Sequence, residues 1–316
     1  MYDRVILSVS RRTDIPAFFP NWFMNRLHDG YVMVRNPMNY HQVSKISLSP
    51  EMTDCIVFWT KNPNPLMPFI EEIEKKYSFY FQYTLNAYGG DIEQRLPKLT
   101  DKIHTMKKLS QLIGKERIVW RYDPILISDK YSVEWHIQAF KHLAETLSPY
   151  VDSCVFSFLD FYPKIKDNLA ECKIQNLANE TVEKIAKELS AIGRDNRLTL
   201  KTCAEVVDLD RYGILHNKCI DPDLIHKITG YQIQANKDKN QRQECGCVES
   251  IDIGQYNTCS HGCKYCYANA EPAKVLARSR LHDPKSPFLI GGYMQGDKIH
   301  DVPQMSWIDE QITIEI

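Results

Sequence analysis

Strand-like runs alternate with helical stretches along most of the 316 residues. The runs Val5–Ser10, Tyr31–Asn36, Cys55–Lys61, Ser78–Asn86, Arg117–Pro124, Ser153–Phe161 and Thr199–Glu205 are rich in Val, Ile, Phe, Tyr and Trp. Such side chains pack well on a pleated surface. Between them lie helix-like segments at Asp91–Ile113, Val133–Leu147 and Asn176–Ile192. In the last of these, Leu177, Val182, Ile185, Leu189 and Ile192 recur at helical spacing. Strand–helix alternation calls for a parallel sheet with helical crossovers. The expected class is α/β, with the units curling into a full or partial (β/α) barrel. A chain this long buries a core without disulfide staples.

Polar residues gather where the strand-like runs end. Ser10, Arg11, Arg12, Thr13 and Asp14 follow the first, Arg35 and Asn36 the second, and Thr60, Lys61 and Asn62 the third. Thr84 and Asn86, Arg121 and Asp123, Asp160 and Glu205 close the remaining four. In α/β barrels the carboxyl ends of the strands form the active rim. Arg12, Asp14, Lys61, Arg121, Asp123 and Glu205 are therefore the candidate catalytic residues. Arginine and lysine suit a carboxylate or phosphate, and the acids suit proton transfer or hydroxyl orientation. Trp59 and Tyr122 can stack on a ring. Any one of these residues is also readable as an ion pair closing a barrel mouth. His136, His142 and His216 fall on helical stretches and receive no role.

Ten cysteines set the chemistry. Nothing at the start resembles a signal peptide, and no apolar run reaches the length of a membrane span. The chain reads as cytoplasmic, where clustered thiols point to metal or catalysis more than to disulfides. Cys55, Cys154 and Cys172 are scattered, whereas Cys203, Cys219, Cys245, Cys247, Cys259, Cys263 and Cys266 share one later stretch. Cys259, Cys263 and Cys266 have the spacing C-x3-C-x2-C. Three thiolates on a four-iron cluster leave one iron open for a cofactor or substrate. A zinc site completed by His261 or a distant ligand is the structural alternative. Cys203, Cys219, Cys245 and Cys247 could close a second [4Fe–4S] cluster or a zinc site, or pack as plain buried thiols. Gly246 permits the sharp turn between the last two.

With Tyr265 before its last cysteine, the C-x3-C-x2-C motif resembles the cluster motif of the radical S-adenosylmethionine superfamily. The resemblance implies a [4Fe–4S] cluster, S-adenosylmethionine on the open iron, and a 5′-deoxyadenosyl radical that abstracts hydrogen from a substrate. It also implies a reductant such as flavodoxin or ferredoxin. Tyr267, Ala268 and Asn269 resemble the sequence that follows the motif in spore photoproduct lyase-like members. The chain as a whole resembles a bacterial family, domain of unknown function 1848, whose C-terminal cysteines are described as radical-SAM-like. Ser8–Pro16, Trp59–Pro63 and Asp252–Gly254 carry that likeness.

In the superfamily the motif follows the first barrel strand. Here it lies late, between strand-like Ser250–Gly254 and Pro287–Tyr293. A permuted radical-SAM-like barrel accounts for that order. Gly291 and Gly292 would then stand for the superfamily's cofactor-gripping Gly-Gly-Glu, with Tyr293 in place of the acid, and Tyr265 would flank the cofactor.

Residues 1–229 form the barrel-like region, and 230–316 a cysteine-rich segment completing the same domain. Residues 230–243 read as a polar linker. The formal net charge of −1 argues against a nucleic-acid coat and leaves nucleic acid a minor option. Lys102, Lys107, Lys108 and Lys115 read as a solvated helix face. The leading reading is a radical S-adenosylmethionine enzyme of unknown substrate. An iron–sulfur electron carrier and a zinc-stabilised (β/α) domain with a hydrolytic or binding rim are the alternatives.

Overall fold

The computed structural model describes residues 5–303. The elements run β1 (Val5–Val9), α1 (Ile15–Phe18), α2 (Pro20–Asp29), β2 (Tyr31–Arg35), β3 (Gln42–Ser47), β4 (Thr53–Thr60), α3 (Ile70–Glu74) and β5 (Phe79–Thr84). They continue with α4 (Leu99–Ile113), β6 (Ile118–Ile125), α5 (Val133–Leu147), β7 (Ser153–Phe158), α6 (Lys166–Glu171), α7 (Asn179–Asp195) and β8 (Thr199–Thr202). Last come β9 (Leu215–His216), α8 (Pro222–Thr229), β10 (Ile251–Asp252), α9 (Pro272–Ser279) and β11 (Lys298–Asp301).

Eight strands form one sheet in the order β10-β1-β4-β5-β6-β7-β8-β9, and every pairing in it is parallel. The class is α/β, as the alternation predicts. Among the described residues no ladder joins β9 to β10. A single backbone hydrogen bond, Val248 N to Ile220 O at 3.3 Å, ties the segments beside them.

Alternation along the strands separates two cores. Leu7, Val9, Ile56, Phe58, Phe79, Phe81, Trp120 and Phe156 pack on one face with the apolar stripes of α2, α4, α5 and α7. Phe140, Leu143 and Leu147 of α5 are one such stripe, spaced to meet the sheet once per turn. Ile6, Cys55, Val57, Tyr80, Val119 and Val155 face the other way. There the returning chain covers them with Cys219, Ile220, Ile225, Cys245, Cys247 and Val248.

Several sequence expectations are corrected. Tyr31–Asn36 does not join the large sheet. As β2 it pairs antiparallel with β3, in a three-stranded sheet of order β11-β3-β2. Pro287–Tyr293 is not a strand and makes one bridge, Phe288 with Met33. The helix expected from Asp91 begins only at Leu99, since Pro97 disfavours helical backbone at Leu96. Lys102 is not solvated: its side chain is 3% exposed and ends beside Glu93.

No helix of the described residues is long and apolar enough to cross a membrane.

Candidate functional site

Asp252 fixes the carboxyl end of β1 against β10. Its Oδ1 accepts from Ser10 Oγ at 2.7 Å and Gly254 N at 2.9 Å. Its Oδ2 accepts from Ser8 Oγ at 2.9 Å and Arg11 N at 2.8 Å. A Cβ on residue 254 would stand 2.0 Å from Ser10 Oγ, so only glycine fits this approach.

Asp14 is the next anchor. Its Oδ1 caps α1 through Ala17 N at 3.0 Å. Its Oδ2 accepts from Lys61 N at 2.8 Å and pairs with His261 Nε2 at 2.8 Å. The His261 ring is 3% exposed, and its Nδ1 is buried without a partner.

The loop bearing Cys259, Cys263 and Cys266 is held mainly by its backbone, with one longer contact at a sulfur, Asn269 Nδ2 to Cys266 Sγ at 3.6 Å. Asn269 Oδ1 accepts from Thr258 N and Cys259 N at 2.8 and 2.9 Å. The non-helical segment before α4 runs antiparallel to the loop: Arg95 N donates to His261 O at 3.0 Å, and Lys264 N to Ile92 O at 2.9 Å. Gly262, at φ 69°, lies close enough to Gln94 that a Cβ would stand 2.9 Å from its Oε1.

Glu93, in that segment, is 3% exposed. It accepts from Lys61 Nζ at 2.9 Å, Lys102 Nζ at 3.2 Å, Tyr265 OH at 2.5 Å and Asn86 Nδ2 at 3.2 Å. Burial by itself would raise its pKa, but the two ammonium groups and the phenol outweigh it and lower the value to about 2. Burial pushes the thiols of Cys259 and Cys263 up, and the Lys61 ammonium opposes this at Cys263.

The other four cysteines lie near one another. Cys203 and Cys219 Sγ are 3.4 Å apart. Cys247 lies close enough to Cys219 and to Cys245 for their thiols to shift one another's pKa. Arg121 Nη1 and Asn217 Nδ2 approach Cys219 Sγ at 2.9 and 3.1 Å, and Ile220 N approaches Cys247 Sγ at 3.4 Å. Arg121 also pairs with Asp123 at 2.6 Å, and Ser157 Oγ donates to the same carboxylate. As they stand, no three His, Cys, Asp or Glu side chains of the described residues are grouped to hold one metal ion.

Both cysteine groups line one cavity of about 460 Å³, with Arg12, Asp14, Lys61, Arg121, Asp123 and Tyr265 along its walls. That is the size of a small-molecule site.

Residues 6–268 match a family described as a domain of unknown function, DUF1848. The chain belongs to this family. The match takes in β1 and all seven clustered cysteines, and ends before Gly291 and Gly292. No curated protein matches the chain.

In this DUF1848 chain the rim residues expected from the sequence meet in one place, with exceptions. Glu205 is not a wall of the cavity; it accepts from Phe158 N at 2.8 Å, and burial raises its pKa to about 7. Gly291 and Gly292 lie beside the small sheet, where Arg35 Nη2 donates to Gly292 O at 2.6 Å. The structure does not bring these two glycines to the cysteines, and Tyr265 reaches the cavity without them. Arg35 likewise turns away, bonded to Asp297 at 2.6 Å. Glu93 was not anticipated, because it falls in a stretch that reads as helix. Asn240, Gln241 and Arg242, read as linker, also wall the cavity.

Proposed function

We propose that this chain is an iron–sulfur protein of the radical S-adenosylmethionine type, with Cys259, Cys263 and Cys266 as the cluster ligands. The observation that carries the reading is a loop secured by Asn269, the 92–95 backbone, Asp14 and Glu93, whose three soft sulfur donors line a cofactor-sized cavity. Three cysteine thiolates fit a [4Fe–4S] cluster with one iron left for a cofactor. When bound, that group supplies the electron that cleaves S-adenosylmethionine to methionine and a hydrogen-abstracting 5′-deoxyadenosyl radical.

The chain's own residues have separate tasks. Glu93 anchors Tyr265 and is shared by Lys61 and Lys102, which fixes the position of all three beside Cys263. Arg12 makes a 3.4 Å hydrogen bond and a 3.9 Å ion pair and lies over the Tyr256 ring, loose partners that leave its N–H groups for an anionic substrate group. Asp123 and Arg121 present an ion pair from β6, a carboxylate and a permanent cation. The sheet would form a permuted barrel around the site, and a flavodoxin- or ferredoxin-class reductant would serve it.

The test is anaerobic iron–sulfur reconstitution followed by dithionite and S-adenosylmethionine, assayed for 5′-deoxyadenosine. Wild type is expected to form it and Cys263→Ala to form none. An iron-loaded wild type that forms none, with or without candidate substrates, would reduce the reading to an electron carrier.

One observation favours a second reading, a zinc site of Cys259, Cys263, Cys266 and His261. A metal-bound imidazole commonly gives its other ring nitrogen to a carboxylate, and His261 has Nε2 on Asp14 with Nδ1 unpartnered. A colourless protein whose zinc disappears in Cys263→Ala would establish it.

A further inference from the structure

We propose that Cys203, Cys219, Cys245 and Cys247 form a second metal site, for a single tetrahedral ion of the zinc class, independent of the Cys259–Cys266 loop. Three observations point to it.

The first is spacing. A tetrahedral zinc with Zn–S bonds of about 2.3 Å sets its sulfurs roughly 3.8 Å apart. Cys203 and Cys219 Sγ are 3.4 Å apart, and Cys247 lies near enough to both Cys219 and Cys245 to perturb their thiols. A cubane places each thiolate on a different iron, so its ligands stand further apart than these do.

The second is the surroundings of the sulfurs. Neutral thiols are weak acceptors, yet three N–H donors are aimed at them: Arg121 Nη1, Asn217 Nδ2 and Ile220 N. Donors of this kind orient and stabilise metal-bound thiolates. Four thiols that bind a divalent ion release four protons and leave a net charge of −2. The Arg121 guanidinium touches Cys219, and the Arg11 guanidinium has Cys247 and Cys219 among its electrostatic partners.

The third is the backbone. Cys219 and the Cys245–Cys247 pair sit on two short turns pressed together. A Cβ at Gly246 would stand 3.0 Å from Lys218 Cγ and 3.3 Å from Asn217 O. Val248 N donates to Ile220 O at 3.3 Å just beyond them. Two turns offering cysteines to each other is the layout of a structural zinc site. At present the thiols are not grouped as a tetrahedron; the 3.4 Å contact of Cys203 and Cys219 suits a protonated pair sharing one S–H. Side-chain rotation with loss of the thiol protons converts the present arrangement into the tetrahedron.

This site does not depend on the cluster reading. It also lies where β9 and β10 fail to pair, so an ion here would clamp the two ends of the eight-stranded sheet.

The full-length protein is purified anaerobically and analysed for zinc and iron, beside Cys263→Ser and the double variant Cys245→Ser/Cys247→Ser. Wild type and Cys263→Ser are expected to hold one zinc per chain, and the double variant to lose it while keeping its iron. Because the double variant can fail to fold, wild type is also alkylated before and after zinc chelation, with the sites mapped by mass spectrometry. Cys203, Cys219, Cys245 and Cys247 should become reactive together, only after chelation. Wild type without zinc overturns the proposal, as do four thiols that label freely before chelation. Iron falling by half in the double variant overturns it in favour of a second cubane, and zinc lost in Cys263→Ser moves the ion to the other group.

Discussion

The two cysteine groups share a cavity but differ in how closely their sulfurs are surrounded. The loop of Cys259, Cys263 and Cys266 is held by its backbone and neighbouring side chains: Asn269 on Cys259 N, Glu93 on Tyr265, Asp14 on His261. Cys203, Cys219 and Cys247 take close contacts at the sulfurs themselves, beside backbone bonds such as Cys245 N to Arg242 O and Tyr80 OH to Cys219 O. The first arrangement gives its sulfurs little contact, with Asn269 Nδ2 on Cys266 Sγ at 3.6 Å. The second satisfies its thiols locally and doubles as a fastener between chain segments.

The largest test of this contrast is Glu93→Ala. It strands Lys61 and Lys102 without their shared carboxylate, and removing one partner of a buried pair costs about 3–5 kcal/mol. Urea unfolding should show that loss. Iodoacetamide on the metal-free variant should reach Cys263 faster than in wild type, with Cys219 and Cys247 unchanged. Equal acceleration in both groups would erase the distinction.

Gly254→Ala comes next. Its Cβ would collide with Ser10 Oγ at 2.0 Å, and overpacking of this sort costs about 1–3 kcal/mol. Because Asp252 ties the same corner, the variant should also speed amide exchange at Arg11 and Gly254, measured by hydrogen–deuterium exchange. Gly246→Ala is milder, since Lys218 can yield, and about 1 kcal/mol is expected in a melt. It should disturb zinc retention and leave the iron content alone; the reverse would contradict the division of labour.

The smallest effect is a slope, and it serves as a control away from both groups. His136 is fully buried between Tyr122 OH and Leu126 O, each 2.8 Å away. Burial lowers its pKa to about 4, below the ordinary value of roughly 6.5. The unfolded chain therefore binds this proton more readily. Stability from neutral His136 is present above pH ~6.5 and is lost as pH falls through about 4. His136→Gln should flatten that part of the melting-temperature profile without changing alkylation at either cysteine group.

Much of this was legible in the residues. Val, Ile, Phe and Tyr runs marked β1, β4, β5, β6, β7 and β8, and their polar ends marked Arg12, Asp14, Lys61, Arg121 and Asp123 as cavity walls. Periodicity could not say which strand-like run leaves the sheet, because β2 has the composition of its neighbours and is claimed by β3 through an antiparallel return. Glu93 and Lys102 escaped for a related reason. Their stretch is charged, and charge ordinarily marks a solvated surface. Only the fold reveals that Lys102 and Lys61 share the one carboxylate of Glu93 indoors. Gly291 and Gly292 show the reverse error, in which a short motif suggested a partnership that the chain path does not make.

The pairing of β10 with β1 also sets a timetable. Ser8 finds Asp252 across 244 residues of chain. On a ribosome adding about 5–20 residues per second, β1 waits roughly 10–50 s for that neighbour. During that interval it has an uncovered edge, the kind of surface that invites pairing with the wrong strand. Cys259, Cys263 and Cys266 are among the last of the cavity's walls to emerge, so anything these three hold together is loaded onto the nearly finished polypeptide. Stalled nascent chains ending before Asp252 should accordingly bind chaperones and take up no iron.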